Sequence, residues 1–137
     1  MKRNAEIEAP PFAFRLDGLS GVPVYRQLID QVQGAMARGT LRPGDQLPTV
    51  RHVAVELEIN PNTVLRAYRE MEIRGFLDTQ QGTGTFIAER QQPTSSKTER
   101  ERQLAQLTGE FVSRAGAQGF TLADLMKELG RLQNDRK

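Results

Sequence analysis

The sequence lacks residue types on which several classes of site depend. It contains no cysteine, which excludes disulfides, thiolate metal sites and a cysteine nucleophile. His52 is the only histidine, and without a second histidine or any cysteine it predicts no metal site. No nucleophile–base pair and no nucleotide-binding loop stands out elsewhere. We therefore expect neither a cofactor nor an enzyme.

Long apolar runs are also missing. No run approaches the roughly 18 residues that are needed to cross a membrane. The N-terminus, MKRNAEIEAPP, lacks the apolar core of a signal peptide. These features predict a cytoplasmic protein without membrane association. A length of 137 residues allows one domain, or one small domain with an appendage.

The chain also lacks a marked excess of positive charge. The chain has 19 Lys and Arg against 17 Asp and Glu, a formal net charge of +2. Residues 22–90 contain eight arginines and eight acids, so this segment is formally neutral. Composition alone therefore does not predict nucleic-acid binding. Charge collected on one face still could, because phosphate attraction is local and screened within about 10 Å.

The order of elements carries more information than the composition. Residues 1–21 read as a tail, with a short strand where Phe12, Phe14 and Leu16 alternate. Helical spacing begins at Val24 and stops at Gly39. Residues 41–87 then read as a helix, a turn, a second helix and a glycine-centred hairpin. We predict a winged helix-turn-helix over residues 22–90 and a linker with a short helical region over 91–137. The fold class is mainly α with a small β-hairpin.

The second helix of the motif is the candidate DNA reader. It starts at Asn60-Pro61, a capping residue followed by proline at the first helical position. Val64, Tyr68 and Met71 share one face and are predicted to pack inward. Asn62, Arg66 and Arg69 share another face and are predicted to project into the major groove. Asn can pair bidentately with adenine and Arg with guanine.

Other residues of the motif are placed for supporting contacts. Thr49 caps the first helix, and Arg51 lies one turn into it. Thr63 suits a phosphate, and the glycine-rich hairpin tip allows close approach to DNA. An ordinary solvated face, with Glu70 and Glu72 pairing to the arginines, is the plainer alternative. The predicted DNA-contact set is Thr49, Arg51, Asn60, Asn62, Thr63, Arg66, Arg69, Gly82 and Thr83.

Four segments closely resemble the N-terminal domain of GntR-family bacterial transcription regulators. They are PVY (23–25), LRPGDQLPTVR (41–51), NPNTV (60–64) and GTGTF (82–86), in the family's order and spacing. The resemblance implies DNA contact for Arg51, Asn62, Thr63 and Gly82. A short helical tail in place of a large metabolite-binding domain is similar to the YtrA-like subfamily, whose members commonly repress operons, often for ABC-type transporters.

The helical tail predicts a second copy of the chain as partner. Two short helices with apolar stripes cannot bury both stripes against each other, so we expect a homodimer on a pseudo-palindromic operator. The alternative is that the helices fold back on their own winged domain. The predicted function is a sequence-specific DNA-binding repressor. A winged-helix protein-interaction module is the competing hypothesis, and any small-molecule effector is unknown.

Overall fold

The computed structural model describes residues 12–89 and 95–134, which belong to two compact units. The first unit spans residues 1–90 and the second spans residues 91–137. The predicted tail up to residue 11 and the linker residues 90–94 lie outside the described residues. In chain order the elements are α1 (Val24–Arg38), β1 (Gln46–Leu47), α2 (Val50–Leu57), α3 (Pro61–Ile73), β2 (Leu77–Gln80), β3 (Gly84–Ile87), α4 (Lys97–Ala117) and α5 (Leu122–Asn134).

A three-stranded antiparallel sheet in the order β1-β3-β2 accompanies the helices of the first unit. Its register places Leu77 opposite Ile87 and Leu47 opposite Thr85, so the predicted hairpin of β2 and β3 is confirmed. Strand β1 was not predicted, because two residues are too few to show an alternating pattern. Next to it, the amide of Gly44 donates to the carbonyl of Ile87 at 2.8 Å and extends the sheet.

The helix boundaries follow local signals in the sequence. Helix α1 ends at Gly39, whose φ of 83° is the left-handed conformation that glycine adopts without strain. Thr49 caps α2 by accepting a hydrogen bond from the amide of His52. Asn60 caps α3 in the same way by accepting from the amide of Asn62. Each such cap contributes about 1 kcal/mol. All three boundary predictions are confirmed.

One core holds the first unit together. The predicted inward faces of α1, α2 and α3 meet there and pack against the sheet, which agrees with the apolar spacing of each helix. The buried members are Phe14, Leu28, Ile29, Val32, Ala35, Leu41, Leu47, Val53, Ala54, Val64, Ala67, Tyr68, Met71, Leu77 and Ile87.

The strand predicted from Phe12, Phe14 and Leu16 is not formed. Phe14 is buried in the core, with Phe12 edge-on against it at 5.0 Å between ring centroids. The backbone here is held by a side chain of α1 instead of a neighbouring strand. Gln31 accepts from the amide of Arg15 at 2.9 Å and donates to its carbonyl at 2.6 Å. The alternation therefore comes from a segment without strand structure whose aromatic rings pack on the core.

The second unit is a pair of helices joined at Gly119. Helix α4 begins at Lys97, with Ser96 as its cap. A capping box opens α5, since Thr121 and Asp124 each accept from the other's amide, at 3.1 and 2.9 Å. These bonds lower the pKa of the Asp124 carboxyl below its ordinary value.

Most of the large apolar side chains in the second unit are exposed. Ala115 is buried and Leu125 is half-buried, whereas Leu107 and Met126 are 65% and 64% exposed. The two helices therefore leave a wide apolar face without a partner in the described residues. Its members are Leu104, Leu107, Phe111, Phe120, Leu122, Met126 and Leu129.

Candidate DNA-binding surface

The exposed side of α3 presents polar side chains in the predicted arrangement. Asn62, Arg66 and Arg69 are exposed, while Val64 and Tyr68 are buried on the opposite side. The inward and outward faces predicted from the helical spacing are therefore confirmed. The three exposed side chains cover two turns at the N-terminal end, which is the end that a helix-turn-helix inserts into the major groove.

The first turn of α3 has fewer free amides than a bare helix end. The Asn60 side-chain oxygen accepts from the Asn62 amide at 2.8 Å, and the Asn60 carbonyl accepts from the Thr63 amide at 3.0 Å. Thr63 itself is half-buried. A phosphate at this end would therefore rely on side-chain donors and the helix dipole more than on these two amides.

The four arginines of α2, α3 and the C-terminal cap of α3 divide into one that is paired and three that are not. Arg74 donates to the Glu70 carboxylate at 3.0 Å, which is the solvated-face arrangement weighed as the plain alternative. For Arg51, Arg66 and Arg69, no hydrogen bond or ion pair forms with any residue that the structure describes. These three guanidinium groups remain available to an external anion or base.

Arg66 has one contact that the sequence did not predict. Its guanidinium carbon lies 3.7 Å from the centroid of the Tyr25 ring, in the first turn of α1. This is a close cation–π arrangement. No spacing rule connects two residues that are 41 positions apart, so the pairing becomes visible only when α1 packs against α3.

Helix α2 is anchored to α3 by a buried tyrosine. The Tyr68 hydroxyl donates to the Pro48 carbonyl at 2.5 Å, immediately before the cap residue Thr49. Burial raises the pKa of Tyr68 above its ordinary value, so the hydroxyl keeps its proton and can donate. The bond fixes where α2 starts relative to α3. It thereby also sets the position of Arg51 relative to Asn62.

His52 and Glu56 lie on the outer side of α2. His52 Nε2 is 3.6 Å from the Glu56 carboxylate, and both side chains are mostly exposed. Among residues 12–89 and 95–134, no three His, Asp or Glu side chains converge as metal ligands would. Both residues also line a cavity of about 700 Å³ beside α2, together with Phe12, Phe14 and Leu57. Its two ionisable side chains pair with each other, so nothing in the lining selects a ligand.

The hairpin between β2 and β3 forms the wing. Gly82 sits at its tip with φ 84°, and Thr83 is exposed next to it. The Gln46 side chain, from β1, donates to the Thr83 carbonyl at 3.1 Å and ties the tip to the sheet. Gly84 has φ 135°, and a Cβ there would collide with the Gln46 side-chain amide. The wing therefore depends on glycine at two positions for different reasons.

We predict that Gly84→Ala destabilises the protein by about 2–3 kcal/mol, because it combines a backbone conformation reserved for glycine with displacement of Gln46. Gly82→Ala is the matched control, since nothing lies within 4 Å of its added Cβ. That variant should lose only about 1 kcal/mol, the cost of a left-handed residue. Denaturant unfolding measures both values. Equal losses of stability in the two variants would show that the hydrogen bond from the Gln46 side chain to the Thr83 carbonyl contributes nothing to stability.

Comparison with known proteins agrees with this geometry. Residues 24–87 match the family described as bacterial regulatory proteins, gntR family. The HTH-type transcriptional regulator Rv1152 of Mycobacterium tuberculosis is 39% identical over 121 residues, which are 88% of this chain and 94% of that protein. The chain belongs to the GntR family. The family and the winged-helix fold expected from the sequence are thus confirmed.

Other GntR-type relatives support the narrower resemblance. The HTH-type transcriptional repressor YtrA of Bacillus subtilis is 41% identical over 80 residues, 58% of this chain. The match spans 62% of YtrA's length, about three fifths of that relative. The solved structure of YtrA from Sulfolobus acidocaldarius, a GntR-family transcription factor, has a TM-score of 0.55 and 28% identity, and the match covers 77% of this chain and 99% of that one.

No helix in the described parts of the chain is both long and apolar enough to cross a membrane. The description of the GntR family names regulatory proteins.

Proposed function

We propose that this GntR-family protein is a sequence-specific DNA-binding transcription regulator that acts in the cytoplasm. Residues 22–90 form its DNA-binding domain, and residues 91–137 form its dimerisation region. Helix α3 enters the major groove, and the wing lies beside it on the DNA. Repression is the favoured outcome, because the relative YtrA is named a repressor.

One observation carries this proposal. Arg66 and Arg69 stand with Asn62 on the exposed face of α3, and neither arginine has an acceptor among the residues described. Arg74, the C-terminal cap residue of the same helix, is satisfied by Glu70. Side chains that bind bases bidentately are therefore presented at the end of α3 that a groove receives.

The remaining members of the proposed contact set support α3 from both sides. Arg51 and Thr49 present a cation and a hydroxyl at the start of α2; the Thr49 oxygen accepts from His52 and its O–H is left to donate to phosphate. Asn60 uses its side-chain oxygen as a cap and keeps its NH₂ group for DNA. Gly82 and Thr83 bring the wing backbone close to the phosphate chain.

A homodimer is the second part of the proposal. The apolar side chains of α4 and α5 are exposed, and their burial against a second copy would stabilise a two-fold interface. Two reading helices would then contact half-sites about 34–36 Å apart, or a multiple, on a pseudo-palindromic operator.

Arg66→Ala is expected to weaken operator binding by about 1–3 kcal/mol and to relax the preference at one base pair. Arg74→Ala removes an arginine at the C-terminal cap of the same helix, but one that Glu70 already holds, so the base preference of this variant should match that of the unsubstituted protein. Selection from random duplexes, followed by titration of the recovered operator, measures both effects. Unchanged base preference in Arg66→Ala would remove that residue from the base-reading set.

A winged-helix protein-interaction module is the alternative function. Such a module would show no salt-dependent DNA affinity, and substitution of Asn62 or Arg66 would leave its activity intact. The same selection, repeated at higher salt, decides between the two. An enriched inverted repeat that survives the salt supports the regulator. A selection in which no sequence is enriched supports the protein-interaction module.

A further inference from the structure

Tyr25 and Arg66 form a contact that joins the first helix to the reading helix. The guanidinium carbon of Arg66 is 3.7 Å from the centroid of the Tyr25 ring, well inside the roughly 6 Å limit for cation–π attraction. Tyr25 is half-buried and packs against the core of the first unit. Its ring is therefore held by the core, while Arg66 stands on the exposed side of α3.

The geometry leaves the hydrogen-bonding edge of Arg66 free. A guanidinium group carries five N–H donors in its own plane, whereas a ring stacked on it covers only a face. No acceptor for these donors occurs among residues 12–89 and 95–134. The Tyr25 ring therefore restricts the Arg66 side chain without using the donors that would contact a base.

The neighbouring arginines show what this contact adds. Arg69, one turn further along α3, has neither an ion pair nor a ring contact within the described residues. Arg74 is held, but its donors are directed at Glu70. Of these three arginines, two on α3 and one at its C-terminal cap, only Arg66 is both held in place and left with its donors free. A side chain ordered in advance loses less rotamer freedom on binding, which increases its contribution to affinity.

We propose that Tyr25 is a specificity-determining residue that acts through Arg66, by holding the guanidinium in the orientation that reads a base edge. The inference rests on the proposed DNA-binding function. A guanine edge, with its O6 and N7 acceptors, is the group that this in-plane pair of donors fits. Tyr25 is thus a positioning residue, and the effect of its ring should depend on the presence of Arg66.

The test compares affinities for the selected operator and for random duplex in four variants. Tyr25→Leu keeps the apolar bulk and removes the ring, and it should lower operator affinity about 3–10-fold while changing random-duplex affinity less than about twofold. Tyr25→Phe keeps the ring face and should bind within about twofold of the unsubstituted protein. Combined with Arg66→Ala, Tyr25→Leu should cause no further loss beyond that of Arg66→Ala alone.

The outcomes separate this inference from the proposed function. If the unsubstituted protein does not prefer the operator, both the proposed function and this inference are overturned. If it does prefer the operator, three results would each overturn only the inference. Tyr25→Leu binds the operator as tightly as the unsubstituted protein, or it loses the same factor in affinity for random duplex. In the third, Tyr25→Leu lowers operator affinity by the same factor when Arg66 is already alanine. An NMR measurement on the unsubstituted protein covers the case in which Tyr25→Leu fails to fold. The side-chain protons of Arg66 should show an upfield ring-current shift relative to those of Arg69, and its absence would overturn the inference.

Discussion

Replacement of Leu107 by aspartate is expected to raise the dissociation constant of the proposed dimer by about 10²–10³-fold. The Leu107 side chain is 65% exposed on α4, and Leu104 and Phe111 lie on the same stripe. Full burial of a leucine side chain contributes about 1.5–3 kcal/mol, and the 65% of Leu107 that is still exposed accounts for about 1–2 kcal/mol of it. A two-fold interface contains each residue twice, so the loss is doubled, and the buried charge adds to it.

Analytical ultracentrifugation over a concentration series measures this change. Ser113→Asp is the matched control, since Ser113 lies two residues beyond Phe111, about 200° further round the helix, and is exposed. Met126→Asp tests the same face from α5, where the side chain is 64% exposed. Operator affinity should fall with dimerisation. A stable dimer in both Leu107→Asp and Met126→Asp would assign the interface elsewhere. A drop in thermal stability at unchanged mass would favour the fold-back alternative.

The elements of the first unit were largely predictable, because their signals are local. Thr49, Asn60 and Gly39 act on hydrogen bonds within four residues of themselves, so their side chains decide where a helix starts or stops. The inward face of α3 follows from a period of 3.6 residues in one segment. Where sequence and structure agree in this protein, the controlling contact spans a single turn.

The features that could not be predicted depend on contacts between distant segments. Phe14 joins the core because Gln31 of α1 satisfies the backbone beside it, and the alternation of the segment gives no sign of this. Strand β1 consists of two residues that pair with β3, a strand distant from it in the sequence. The Tyr25–Arg66 stack joins residues 41 positions apart. Each arises from packing between elements, and the periodicity of one segment does not indicate which other segment it packs against.

The apolar stripes of the second unit show a different limit. Periodicity identified Leu122, Leu125, Met126 and Leu129 as one apolar stripe of α5. The structure divides them, with Leu125 half-buried and the other three exposed. Helical spacing predicts that a face is buried, but it does not say whether the partner is the next helix or a second molecule. For this reason Leu107 and Met126 are better sites than Leu125 for testing dimerisation.

Tyr68→Ala is expected to destabilise the first unit by about 3–5 kcal/mol, as truncation of a large buried ring does. Tyr68 is 3% exposed, and its ring centroid lies 6.4 Å from that of Phe14. Tyr68→Phe keeps the ring and removes only the hydrogen bond to Pro48, so it should cost about 1 kcal/mol. Denaturant unfolding of both variants separates packing from the hydrogen bond. Equal losses would mean that the hydroxyl, and not the ring, holds the two helices together.

The same pair of proteins tests the protonation of the buried phenol. Because burial raises the pKa of Tyr68 above its ordinary value of about 10, the unfolded chain releases this proton first as the pH rises. The contribution of Tyr68 is therefore fully present below pH 10 and declines above it. Tyr68→Phe has no such proton, so its stability should fall less steeply there. Parallel curves of stability against pH for the two proteins above pH 10 would contradict a buried, neutral Tyr68.

Tyr68→Phe should also bind the operator more weakly, because Arg51 loses the anchor that sets its distance from Asn62.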